Sequence, residues 1–194
     1  MKIAALDPSL TSLGIATGRD GQIGQISTIA PGNLRGHERL ALLLRHIDTI
    51  VSGADVVIIE GLAYGAKGSA LLDLAGLHWL IRHELWQDRR PYVVISPSSL
   101  KQYATANGMA NKALMVATAS RRFPTVELQT EDEADALWLL AAGFDYYGMP
   151  MCQMPQAQRA VLTARHTKKP PAGARWQRGD PVIQWAAAQW AAAS

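Results

Sequence analysis

The chain has 194 residues, 48% apolar and 18% charged, with a formal net charge of +3. That size and composition fit one domain, or one domain plus an appendage, which hides roughly 70% of its unfolded surface and excludes a disordered chain. The single cysteine, Cys152, excludes a disulfide framework and a cysteine-based zinc site. No apolar run reaches the ~18–20 residues of a membrane span, and the first residues meet Asp7 too soon for a signal peptide, so the expectation is a cytoplasmic protein without a membrane partner.

Residues 2–7 read as an apolar strand that ends in an acid, Asp7. Residues 13–18 and 22–29 read as two more strands, divided by the turn signal Gly18-Arg19-Asp20-Gly21. Short connections make these three an antiparallel meander. Apolar residues then recur at helical spacing over 36–52, from Leu40 to Val51. Residues 55–60 hold a continuous apolar run, as a buried parallel strand does, and end in a second acid, Glu60. A loop with Gly61, Gly65 and Gly68 leads to a strongly apolar helix over 69–87. Residues 91–96 form another buried strand, followed by a short helix near 98–104, a loop, and a helix from about 110 to 122. Thr130 with Glu133 three residues on is a capping-box pattern, which opens a helix running to about 142. Beyond Pro170-Pro171-Ala172-Gly173, the Ala-rich stretch from Ile183 to Ser194 reads as a small helix. The order predicts an α/β domain with a mixed sheet, an antiparallel unit joined to parallel crossovers.

Parallel sheets place ligand chemistry at the carboxyl ends of their strands. An acid directly after four apolar residues is costly there unless it is paired or holds a metal; Asp7 and Glu60 are two such acids. Asp132 and Asp135, three residues apart, share one helix face, and the apolar run after Asp135 turns that face inward. Glu131 and Glu133 are explained by the helix dipole alone. Four inward carboxylates repel one another, and a divalent cation removes the conflict; oxygen-only ligands suit Mg²⁺ or Mn²⁺ rather than zinc. His78 and His83 are five apart, off a shared helix face, and read as ordinary core-edge or solvated residues.

Five motifs in order give the chain a resemblance. They are Asp7-Pro8-Ser9-Leu10-Thr11-Ser12-Leu13-Gly14, Ile58-Ile59-Glu60, Lys101-Gln102, Gly108-Met109-Ala110-Asn111-Lys112, and Asp132-Glu133-Ala134-Asp135-Ala136. Over about residues 1–147 the chain resembles the RuvC Holliday junction resolvases. The resemblance implies an RNase H-like fold with a five-stranded mixed sheet flanked by helices. It also implies a homodimer that cuts four-way DNA junctions with two Mg²⁺ per site, leaving a 5′-phosphate and a 3′-hydroxyl. By motif match the metal-binding acids are Asp7, Glu60, Asp132 and Asp135, and the basic residues near the scissile strand are Lys101 and Lys112. The family's aromatic wedge position falls on Ala63, which leaves Tyr64, the next residue, as the candidate for that role. The family pairs through the helix that falls on 69–87 here, and Leu77 is one residue of its apolar surface.

Two metals about 3.5–4 Å apart activate water and stabilise the leaving oxygen of a phosphodiester. Asp7 on the central strand is the expected bridge between them, with Asp135 and Asp132 on the water side and Glu60 on the leaving-group side. Lys112 opens a helix, where a cation opposes the dipole, so a phosphate-facing role is the better reading. Lys67 joins Lys101 as a further cation for DNA. Residues 1–150 form the expected nuclease domain, with a charge of −2, and residues 151–194 a basic C-terminal extension of +5, including Lys168 and Lys169, whose charge alone resembles the extended ends of some bacteriophage relatives. Rival readings are an RNase H-fold nuclease for flap or branched DNA or RNA–DNA hybrids, a non-catalytic branched-DNA-binding module, and an actin-like ATPase. The last needs a second half for which 194 residues leave no room.

Overall fold

Short connections keep the first three strands side by side, and long ones carry the next two strands across as parallel neighbours. The computed structural model describes residues 1–62 and 69–163. Its elements are β1 (Lys2–Asp7), β2 (Leu13–Arg19), β3 (Gln22–Ile29), α1 (Gly36–Val51), β4 (Val56–Glu60), α2 (Ser69–Gln87), β5 (Tyr92–Ile95), α3 (Pro97–Thr105), α4 (Lys112–Arg122), α5 (Glu131–Tyr146) and α6 (Gln156–Thr163). The sheet has the order β3-β2-β1-β4-β5. β1 pairs antiparallel with β2 and parallel with β4, so Asp7 lies on the central strand. The β2–β3 hairpin turns on Asp20 and Gly21, both at positive φ, as a two-residue turn of matching twist requires.

Alternate residues of each strand go to opposite faces, and each face has its own core. On one face Ile3, Ala5, Ala16, Val56 and Ile58 pack with α3, α4 and α5. On the other, Ala4, Leu6, Val57 and Ile59 pack with Leu43, Ile47 and Val51 of α1 and Leu77, Ile81 and Leu85 of α2. Each Val, Leu or Ile side chain among them contributes roughly 1.5–3 kcal/mol by its burial. Among the described residues no helix is long and apolar enough to cross a membrane.

α5 is the centre of the first face. A Cβ on Gly143 would meet Cγ1 of Ile58 at 2.6 Å, and one on Gly18 would meet the Phe144 ring at 2.8 Å. These glycines let the helix lie directly on the sheet. The same contact explains why α5 runs to Tyr146 rather than the expected 142: packing on the sheet outweighs the low helix propensity of Gly143.

α6 was not expected. Its signal is weak because only eight residues carry it. It docks through a buried polar cluster: Arg159 Nε lies 2.7 Å from Oδ1 of Asp145, whose side chain is 1% exposed, the Tyr103 hydroxyl donates to the other oxygen at 3.1 Å, and Gln158 donates to the Tyr103 carbonyl. Met154 joins the core. Residues 151–163, within the span expected as the extension, therefore pack on the body. Tyr64, Lys67, Lys168, Lys169 and the helix expected over 183–194 lie outside the described residues.

Candidate active site

Three chain segments bring the acids to one end of the sheet. Asp7 and Glu60 occupy the last positions of the adjacent parallel strands β1 and β4, one step beyond the Leu6–Ile59 pair. Both follow the parity of the core face that carries α5. The N-terminus of α5 then delivers Asp132 and Asp135. Its start is fixed by the expected capping box: the Glu133 amide donates to Oγ1 of Thr130 at 3.1 Å, and the Glu133 carboxylate accepts from the Gln129 amide at 2.6 Å. Glu133 is thus buried by a structural task.

Gly14 makes this approach possible. It pairs with Asp7 across β1 and β2, and a Cβ there would meet the carbonyl oxygen of Asp132 at 2.4 Å. The spacing of the first motif, Asp7 to Gly14, therefore puts an acid and a gap side by side.

The acids act on one another: Asp132 on Asp7 and Asp135, and Asp7 on Glu60 and Asp135. Asp7 is 8% exposed. Burial raises both Asp7 and Glu60 above the ordinary carboxyl range, and in Glu60 the Asp7 charge adds to the effect. The interaction between the two side chains raises Glu60 further and partly offsets the rise in Asp7. Burial, then the Asp7 charge, raises Asp135 to about 7. Lys101 and Lys112 oppose these shifts, Lys101 at Glu60 and Asp135, Lys112 at Asp7 and Asp135. Both lysines therefore border the acids.

Lys112 is the first residue of α4, and its position against the helix dipole is relieved locally. Its Nζ lies 3.2 Å from Oδ1 of Asp132 and 3.4 Å from Oε2 of Glu131. Glu131 is the neighbour that sequence reasoning missed; its place in the first turn of α5 was accounted for by the dipole alone. Among the described residues no three acidic, histidine or cysteine side chains converge as a closed ligand cluster. The donor set is nonetheless all oxygen and largely buried, which fits a hard divalent cation. His78 is buried on α2, where burial and the Arg82 charge push it down to about 4, and His83 is exposed.

No family model and no curated protein sequence matches this chain. Solved structures do. The Thermus thermophilus RuvC structure superposes with a TM-score of 0.61 at 15% identity, covering 80% of this chain and 100% of that one. The fold is that of RuvC. The T. thermophilus RuvC in complex with a Holliday junction substrate superposes with a TM-score of 0.63 at 16% identity, covering 80% of this chain and 99% of that one. The five-stranded mixed sheet flanked by helices is thus RNase H-like, and RuvC likeness spans the described body.

Proposed function

We propose that this chain is a metal-dependent, structure-selective endonuclease that resolves four-way DNA junctions in recombination and repair. The observation that carries the reading is the set of four carboxyls at one sheet end, with burial and mutual charge raising Asp7, Glu60 and Asp135 above the ordinary carboxyl range. A site built at that electrostatic expense is a site for cations. Asp7, Glu60, Asp132 and Asp135 would hold two Mg²⁺, or Mn²⁺ in their place. When bound, the ions would supply an activated water and stabilise the leaving oxygen.

The residues divide the remaining work. Asp7 is the one acid whose charge is felt at both Glu60 and Asp135, while Asp132 acts on it in turn, which supports a bridging role. Glu60 would bind a cation as the carboxylate. Lys101 and Lys112 present charge to the scissile strand's phosphates. Tyr64, Lys67, Lys168 and Lys169 extend the DNA surface in this reading. Arg159 does not, because it is committed to Asp145.

Two copies of the chain would pair through α2. Leu72, Trp79 and Trp86 stand seven residues apart and are 75%, 61% and 60% exposed. That is a heptad stripe facing away from the sheet, as a helix pairing with its copy across a two-fold axis presents. Two copies would set two sites on opposite strands of a junction.

The test is cleavage of labelled four-way junction, flap, fork, linear duplex and RNA–DNA hybrid side by side, with Mg²⁺ and with Mn²⁺. Symmetrical paired incision of the junction, at rates well above the other substrates, is expected. Preferred cutting of flap or hybrid would replace junction resolution by that activity, and no cutting of any substrate would defeat the nuclease reading.

A further inference from the structure

The connection between α3 and α4, residues 106–111, is built more tightly than its length requires. Ala106 ends α3 in the left-handed conformation, at φ 61°. The Asn107 amide donates to Oγ1 of Thr105 at 3.1 Å, the Gly108 amide to Oε1 of Gln102 at 2.9 Å, and the Met109 amide to Oδ1 of Asn107 at 2.9 Å. The Ala110 amide donates to the Asn107 carbonyl, and Ala110 is buried. Asn111 then caps α4 by accepting from the Leu114 amide. Every amide from 106 to 110 has a partner close in the chain, so the turn holds its shape without help from a ligand.

At the tip of this fixed turn stands Met109, 89% exposed, the most exposed large apolar side chain among the described residues. A single exposed apolar residue is ordinary in itself. Its position is not. The turn lies at the acid-bearing end of the sheet: Glu60 is the register partner of Ile95, α3 starts two residues later, and Gly108 packs against the Ser98 carbonyl in the first turn of α3. Met109 therefore stands in the connection that runs from α3, which carries Lys101, to α4, which opens with Lys112, the two cations that border the acids.

We infer that Met109 is an apolar wedge that inserts at an opened base step of the bound DNA while Lys101 and Lys112 hold the flanking phosphates. The inference rests on the nuclease reading and adds to it the contact that recognises an unstacked step. The chemistry is direct: an unbranched thioether is adaptable, polarisable and matched to a base face, and Met is one of the side chains that proteins push between base pairs. Base pairs at a branch point are the ones most easily parted, so a wedge beside the acids favours branched DNA over linear duplex. The fixed turn holds the Met109 backbone in place, so that only its side chain adapts to the step.

The experiment uses full-length protein carrying Asp7→Asn, to suppress cutting, with Mg²⁺ and a four-way junction bearing 2-aminopurine at the branch point. Binding should raise the fluorescence several-fold as the base unstacks. Adding Met109→Ala should remove more than about half of that rise, and Met109→Leu should restore it. Junction affinity should change little and its salt slope not at all, since no charge is altered. An unchanged rise in the Met109→Ala protein overturns the inference, and loss of the rise only in Tyr64→Ala assigns the wedge to Tyr64 instead. If the protein binds the junction no better than linear duplex, the junction reading fails as well, which separates that failure from binding without a wedge.

Discussion

Gly14 and Asp132 are in contact through backbone atoms alone: a Cβ on Gly14 would lie 2.4 Å from the Asp132 carbonyl oxygen. Since Gly14 also pairs with Asp7, one missing side chain sets the distance between the strand acid and the helix acids. Gly14→Ala must push α5 off the sheet. Overpacking of this kind costs about 1–3 kcal/mol, and each kcal/mol lowers the melting temperature of a chain this size by roughly 2–4 °C. Cleavage should fall further than the stability loss accounts for, because the acids separate. Calorimetry and single-turnover cleavage at a temperature where the variant is fully folded check both parts.

Asp7→Asn and Glu60→Gln should each abolish cutting and keep junction binding within about threefold, because contacts to phosphate supply most of the affinity. Without metal, either variant should bind DNA somewhat more tightly, since a repelling charge or its potential is removed. A binding titration with and without Mg²⁺, beside a cleavage assay, is the check; near-normal cleavage by either variant would remove it from the metal set.

The raised Asp135 makes the stability of the metal-free protein depend on pH in a stated direction. A carboxyl whose folded value exceeds its unfolded value stabilises fully below the unfolded value and loses that contribution as pH rises through the folded one. Between roughly pH 4 and about 7 the metal-free protein should therefore lose stability on the order of 4 kcal/mol at most from this group. Asp7 and Glu60, raised as well, shift the balance the same way. Asp135→Asn should melt higher than the parent at pH 8 without metal, and Mg²⁺ or Mn²⁺ should raise the parent's melting temperature more than the variant's. Thermal denaturation across pH with chelator and with metal measures both.

The faces of α2 separate a folding defect from a pairing defect. Leu77, taken from the sequence as part of the pairing surface, is fully buried against the sheet, so Leu77→Glu should unfold the protein. Trp79 is 61% exposed, with the Arg82 guanidinium 4.9 Å from its ring centroid. Trp79→Glu should leave the fold intact, convert dimer to monomer and abolish paired incision. Sedimentation and circular dichroism of both variants distinguish the cases; a monomeric parent with full resolving activity would defeat the pairing.

The sheet was legible because its signals are local and redundant. β1, β4 and β5 carry apolar runs, β2 and β3 flank the turn signal at Asp20 and Gly21, and the Thr130–Glu133 pair marks the start of α5 at the residue the structure uses. The acids were legible because burial makes a strand-ending carboxylate conspicuous. What remained hidden depends on contacts between distant segments. The period of α2 is apolar nearly all round, so sequence alone did not say which apolar residues meet the sheet and which meet solvent. Glu131 was explained by its own helix and not by Lys112, nineteen positions earlier in the pairing of α4 with α5. α6 is held by Asp145 and Tyr103, neither of which is near it in sequence space as a pattern.

The glycine contacts at both ends of α5 act as a gauge for its length. Gly14 meets the first turn of the helix, while Gly143 seats its last turns on Ile58. One residue inserted between Ala136 and Gly143 would rotate everything on one side of it by about 100° and displace it by about 1.5 Å along the axis. Either Gly143 would leave its seat or Asp132 and Asp135 would turn away from Asp7. Relatives of this chain should therefore vary freely in the lengths of their connections, as between β3 and α1, while the count of residues from Asp135 to Gly143 stays constant, so that gaps in an alignment, more than substitutions, would mark where the acids are aimed.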